Sequence, residues 1–362
     1  MQKIWGSLKN LCHRVLPMIW QYRLALVLIA GFACVLAAYG AYNQKVYGIH
    51  VDQERERVAV EKATQPAWER KVETETEMRL GLMGNLRIEL ENNYTFASDI
   101  EDRYTAVPDY LRPLAFFRSQ MQSFQPHYII NLGNAIAGEG QDSTRGAEAM
   151  RFVRRQFEKI NAPTLWAIGN RDLRALTRTQ IQELTDTPMA PYTIDYEDYR
   201  LIVLDTNNNS DGEAYDNEND VSEHSRGAVT VEQIEWLKQE LDTTKHVVVF
   251  MHHGAFDSSV EVKGKREKSI SDAQTLREIF GLYNVSAVFT AHLRAHAYET
   301  HRGVTYYSLE SIKDAGGDHP GAFYEAALNG SNVAVNLYYI GEDGERLINQ
   351  PYKENAILIV EE

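Results

Sequence analysis

The stretch Thr164-Leu165-Trp166-Ala167-Ile168-Gly169-Asn170-Arg171-Asp172 decides the fold: a short apolar run of β type gives way, at a glycine turn, to a polar cluster. The same grammar repeats on both sides of it. Apolar runs of β type, LGLMG (80–84), YIINLG (128–133), YRLIVLD (199–205), HVVVFMHH (246–253) and VSAVFTAH (285–292), alternate with amphipathic runs such as LRPLAFFRSQMQSF (111–124), EAMRFVRRQFEKI (148–160) and VEQIEWLKQEL (231–241). This alternation predicts an α/β layered sheet. In such domains ligand-binding groups gather beyond the carboxyl ends of the strands. Five strand ends here carry polar clusters: Gly84-Asn85-Leu86-Arg87, Gly133-Asn134, Gly169-Asn170-Arg171-Asp172, Met251-His252-His253 and Ala291-His292-Leu293-Arg294.

The order and spacing of these clusters, over roughly Leu80 to Tyr307, resemble the five motifs of the calcineurin-like metallophosphoesterases: D-x-H, G-D, G-N-H-D or G-N-H-E, H, and G-H-x-H. The resemblance implies a layered sandwich of two packed mixed β-sheets flanked by helices. It also implies a pair of divalent metals held by Asp and His residues, with one Asp bridging both metals and the His of the third motif assisting the leaving group. This chain departs from that pattern at most of its charged positions. Asn85 stands for the first Asp, Arg87 for its His, Asn134 for the bridging Asp, Arg171 for the catalytic His and Arg294 for the final His. Only Asn170, His252 and His292 keep ligand-type side chains.

A guanidinium has no lone pair to give and does not deprotonate in a protein, so Arg87, Arg171 and Arg294 repel a cation. A neutral carboxamide at the bridging position cannot offset the repulsion of two divalent ions about 3.5–4 Å apart. No bimetallic site and no catalytic residue are therefore expected, and no cofactor is required. Asn170, His252 and His292 could still form a weak site for a single divalent metal. The alternative for these histidines is a neutral, hydrogen-bonded role in the core. The three arginines with Asn85 and Asn134 have two readings: they bind an anion such as phosphate by paired charge-assisted hydrogen bonds, or they pair with Asp172, Asp205 or other carboxylates and fill the vacated cavity. His253, His296 and His301 show no distinguishing pattern, and Asp99, Asp102, Glu139 and Asp142 read as solvated surface. The sequence has no phosphate loop, nucleophile elbow or H-E-x-x-H helix.

Leu24 to Tyr42 runs without a charge, long enough to cross a hydrocarbon core of roughly 30 Å. Residues 24–43 thus read as a signal anchor in the lipid bilayer. Lys3, Lys9, Arg14 and Arg23 precede it, which puts residues 1–23 in the cytoplasm and the large remainder outside. A cleaved signal peptide with a small-residue site at Ala38-Tyr39-Gly40 is the rival reading. Residues 44–78 are charged and poor in large apolar side chains, as a stalk or linker would be, and 79–362 form the domain. Beyond Tyr307, NVAVNLYYIG and NAILIVEE read as closing strands of the second sheet.

The net charge of −14 over 362 residues argues against a nucleic-acid partner. Cys12 and Cys34 precede or lie within the span, so the outer domain has no disulfide. That suits a bacterial periplasm. The expected function is a catalytically inactive metallophosphoesterase-like domain, membrane-anchored, serving as an accessory or scaffolding subunit of a membrane protein assembly. The alternatives are an atypical metal-dependent phosphoesterase and an anion sensor.

Overall fold

HVVVF (246–250) lacks the polar alternation of a half-solvated strand because both of its faces are covered. Val248 and Phe250 point into the space between two sheets, while Val247 and Val249 pack with the helices on the far side. The computed structural model describes residues 76–88, 112–138, 142–188, 190–209, 227–256, 260–262, 265–267, 270–312, 321–340 and 347–358. All lie in one compact unit, Pro66–Glu362. The span predicted at 24–43, the segment 1–23 and nearly all of 44–78 fall outside the described residues. Among the described residues no helix is long and apolar enough to cross a membrane.

The first strands are β1 (Glu77–Met83), β2 (Tyr128–Asn131) and β3 (Thr164–Trp166), mutually parallel and linked by α1 (Arg112–Phe124) and α2 (Ser143–Glu158). A short 3₁₀ turn, Asp172–Arg174, leads into α3 (Arg178–Thr185). There follow the hairpin β4 (Tyr192–Tyr196) and β5 (Tyr199–Val203), then α4 (Val231–Leu241) and β6 (His246–Phe250). A two-stranded ribbon, β7 (Val260–Val262) and β8 (Lys265–Glu267), precedes α5 (Ala273–Phe280) and β9 (Val285–Thr290). The chain continues through β10 (Ala297–His301), β11 (Val304–Ser308), β12 (Ala322–Asn329), β13 (Asn332–Ile340) and β14 (Leu347–Pro351), and the described part ends with the single turn α6 (Tyr352–Asn355) and β15 (Ile357–Leu358).

Two mixed sheets result. One has the order β14-β13-β12-β1-β2-β3, the other β15-β10-β11-β9-β6-β5-β4. Leu80, Leu82 and Ile130 from the first meet Leu201, Phe250, Phe289 and Tyr307 from the second in a buried apolar layer. Rings stack across neighbouring strands there, Phe250 on Phe289 at 5.9 Å and Phe289 on Tyr307 at 4.8 Å between centroids. Such aromatic pairs add about 0.5–1.5 kcal/mol each beyond area burial. Outside the first sheet α1, α2 and α3 bury Phe117, Met121, Val153, Phe157 and Ile181; outside the second, α4 and α5 bury Ile234, Leu237, Leu276 and Phe280. The predicted layered sandwich is therefore present.

The reading of the tail needs one correction. NVAVNLYYI forms β13 in the first sheet, and only β15 joins the second. The cause is β12, which pairs antiparallel with β1 (Leu80 opposite Ala326) and carries its hairpin partner β13 into that sheet. Asp142, read as solvated surface, is the N-cap of α2, its carboxylate accepting the Arg145 N–H at 2.9 Å.

Candidate functional site

The exits of β1, β2, β3, β6 and β9 meet where the two sheets converge. Close backbone approach makes this possible. A Cβ on Gly169 would lie 2.2 Å from the Asn134 nitrogen, and one on Gly133, whose φ is +90°, would lie 2.6 Å from the Gly169 nitrogen. Only glycine permits loops this close.

Asn85 and Asn134, both fully buried, stand at the centre. The Asn134 side-chain amide donates to Asn85 Oδ1 at 3.0 Å and to Asn170 Oδ1 at 3.3 Å, and its Oδ1 accepts the Arg171 N–H at 2.8 Å. The Asn85 amide donates to the Ala291 carbonyl at 2.7 Å. The backbone partners settle which atom of each carboxamide is oxygen, since a carbonyl must receive N–H and an N–H must find oxygen. Both carboxamide oxygens are thus engaged by protein donors. A charge-compensated pair of divalent ions does not fit these residues.

The histidines are arranged differently. His252 is fully buried, and its Nδ1 lies 2.7 Å from the Leu132 carbonyl, so Nδ1 carries the hydrogen and Nε2 the lone pair. Nε2 lies 3.2 Å from Asn170 Oδ1 and 3.3 Å from His292 Nδ1. Ligand atoms on one tetrahedral ion with bonds of 2.0–2.1 Å are spaced by about 3.3 Å. The spacing therefore suits a single divalent ion. His253 joins this cluster, since the ring nitrogens of His252, His253 and His292 lie within 4.8 Å of one another. The electrostatics oppose a cation: burial lowers His252 to about 4, and the Arg87 and Arg171 charges push the same way.

Arg87, Arg171 and Arg294 are all half-buried. Arg87 and Arg294, with Asn85 and Asn134, adopt left-handed backbone at φ values of +50° to +56°, a conformation that costs on the order of 1–3 kcal/mol for a non-glycine residue. The two carboxylates named as partners for these arginines, Asp172 and Asp205, have other tasks. Asp172 accepts the backbone N–H groups of Asn134, Gly169 and Ile136 at 2.8, 2.9 and 3.1 Å, and so ties the second and third loops together. Burial raises its carboxyl to about 6, against the opposing effect of these hydrogen bonds. Asp205 takes a buried ion pair with Arg178 at 2.6 Å and also accepts from Asn207, whose amide in turn holds the Ile168 carbonyl.

Sequence reasoning missed His253, Arg178 and Asn207 as members of this region. His253 was legible in one respect: a His-His pair at a strand exit loses the two-residue alternation, so both rings can reach the site. Its Nδ1 lies 2.8 Å from Thr206 Oγ1, on the loop after β5. Arg178 sits on α3 and meets Asp205 only through the fold, and no local pattern marks it. Asp99, Asp102 and Glu139 lie outside the described residues.

This architecture is similar in fold to a solved dimetal phosphatase. A dimetal phosphatase from Danio rerio superposes with a TM-score of 0.54 at 13% identity, over 76% of this chain and 99% of its own. A purple acid phosphatase from yellow lupin (Lupinus luteus) seeds gives 0.45 at 14% identity, over 76% of this chain and 53% of its own. A probable cyclic nucleotide phosphodiesterase of Rhodococcus erythropolis is 24% identical over 162 residues, 44% of this chain and 48% of that protein. The match thus spans about half the length of that relative. No family profile matches the chain.

Two predictions follow from the loop contacts. Gly169→Ala is expected to lower unfolding stability by about 1–3 kcal/mol through overpacking against Asn134; urea denaturation with no loss would contradict the close approach. For pH, native Asp172 binds more proton than the unfolded chain between its ordinary 3.8 and about 6, so its contribution to stability falls as pH rises. Native His252 binds less between about 4 and 6.5, so its contribution rises. The slopes oppose each other, and Asp172→Asn removes the first. The stability of the natural chain relative to this variant should fall by on the order of 2 kcal/mol from pH 4 to pH 6.5. A difference that does not change with pH would refute the buried, proton-binding Asp172.

Proposed function

We propose that this chain is a membrane-anchored, non-catalytic member of the metallophosphoesterase-like proteins, acting as an accessory or scaffolding subunit of a membrane assembly. The observation that carries the reading is the Asn85–Asn134 carboxamide pair, whose oxygens are both taken by protein donors where the fold would need metal-bridging carboxylate. The positive field of Arg87 and Arg171 at His252 acts in the same direction. Stability is kept by the sandwich core and by the Asp172 clamp, neither of which needs a metal. The uncharged segment 24–43 supports the anchor, and the basic residues before it support a cytoplasmic N-terminus with the domain outside, in a bacterial periplasm.

A second reading rests on the 3.2 and 3.3 Å spacings around His252 Nε2. They favour a mononuclear phosphoesterase, in which Asn170, His252 and His292 would hold one divalent ion that polarises a phosphoryl oxygen. The relatives named phosphatase and phosphodiesterase belong to this side of the balance.

Metal analysis separates the two. The full chain, incubated with manganese, iron and zinc and then desalted, should retain less than about a tenth of an equivalent by plasma mass spectrometry and should leave bis(p-nitrophenyl) phosphate intact. One retained equivalent with turnover abolished in His252→Ala establishes the mononuclear enzyme instead. The scaffolding role has its own check: affinity capture from detergent-solubilised membranes should recover a second protein in fixed ratio, and recovery of this chain alone would remove it.

A further inference from the structure

We infer that the C-terminal half of α2 is a surface for anionic lipid, in which Arg151 and Arg155, with Lys159 beside them, rest against negatively charged headgroups of the bilayer. This rests on the membrane-anchored reading above. Both arginines are exposed and lie one turn apart on the same face of the helix, and Lys159, its C-cap, follows a turn further on. Like charges at this spacing weaken a helix rather than support it. Among the described residues neither arginine takes part in an ion pair, whereas their neighbour Arg154 is matched by Glu158 at 2.7 Å and Asp186 at 3.8 Å. The helix dipole accounts for a cation in the last turn, Arg155, but not for Arg151 a turn earlier.

The place of this row in the domain points to a membrane. The described chain starts at Thr76 and enters β1 at Glu77, and contacts run from there to the basic end of α2. The Arg79 N–H donates to His127 Nδ1 at 2.9 Å, the Arg79 guanidinium lies 5.9 Å from the Phe124 ring centre, and the Gln122 amide donates to the Lys159 carbonyl at 3.4 Å. On the anchored reading the tether thus joins the domain at the same end as Arg155 and Lys159, which raises the effective concentration of lipid there. Beside α2, α1 has no acidic residue and exposes Gln122 and Ser123. Charge is divided across this end of the sandwich: the turn between β4 and β5, where the Tyr199 hydroxyl donates to the Thr76 carbonyl at 3.2 Å, carries Glu197 and Asp198. An anionic surface therefore favours the α2 side. The net charge of −14 is repelled by such a surface, and the row prevails only within about a Debye length, roughly 10 Å at 0.1 M salt. Val231, on α4, is the only exposed large apolar side chain among the described residues, so the contact is electrostatic adsorption without insertion.

The test is covalent labelling of Arg151 and Arg155 with phenylglyoxal, read by mass spectrometry, on the full chain in nanodiscs of phosphatidylcholine alone or with an equal part of phosphatidylglycerol. On the anionic discs at low salt both should react more slowly by about fivefold, and high salt should remove the difference. Arg151→Glu should return Arg155 on anionic discs to its rate on neutral ones, while Arg151→Lys, which keeps the charge, should leave it slow. Arg155→Glu, read at Arg151, is the second variant. Equal rates on the two kinds of disc, with the chain incorporated, overturn the lipid surface and leave the anchor standing. A chain that the discs do not retain overturns the anchored reading and this inference together. Slow labelling on both kinds that requires two chains per disc assigns the face to a second copy instead. Slow labelling that survives Arg151→Glu and Arg155→Glu, with unchanged circular dichroism, overturns the assignment to this row.

Discussion

Asn134 has every one of its polar groups bonded, and the site is arranged around it. Its N–H goes to Asp172, its carbonyl receives Arg87, its Oδ1 receives Arg171, and its side-chain amide reaches Asn85 and Asn170. A carboxylate in this place could make only the accepting contacts, and would set its oxygen against the acceptor oxygens Asn85 Oδ1 and Asn170 Oδ1 with no hydrogen or cation between them. A carboxamide supplies both donor and acceptor and closes the network without an ion. That difference, one NH₂ for one oxygen, lets protein groups alone satisfy the Asn134 side chain.

The remaining architecture tolerates the change because the sandwich core and the site are built from different residues. The layer of Leu80, Leu82, Phe250, Phe289 and Tyr307 stabilises the pairing of the sheets whatever stands at the strand exits. Gly133 and Gly169 keep the loops close enough for the hub to form. Asp172 receives the three N–H groups that tie β2's exit to β3's. The histidines keep their inward geometry for a local reason, the Leu132 carbonyl that orients the His252 ring. The ring nitrogens of His252, His253 and His292 are thus gathered within the field of Arg87 and Arg171.

The sequence by itself determined the layered α/β sandwich and the five strand exits, because strand length, apolar runs and glycine turns are local properties written in consecutive residues. It also determined the chemical character of the site, since Arg87, Arg171 and Arg294 cannot be ligands in any geometry. Tertiary structure decided the rest. That Asp205 serves Arg178 rather than the site arginines, that Asp172 clamps backbone instead of pairing with a guanidinium, that His253 joins His252 and His292, and that β13 follows β12 into the first sheet all depend on contacts between residues far apart in the chain. Hydrogen-bond partners and strand neighbours across such separations are chosen by the packed core, and a sequence pattern carries no record of that choice.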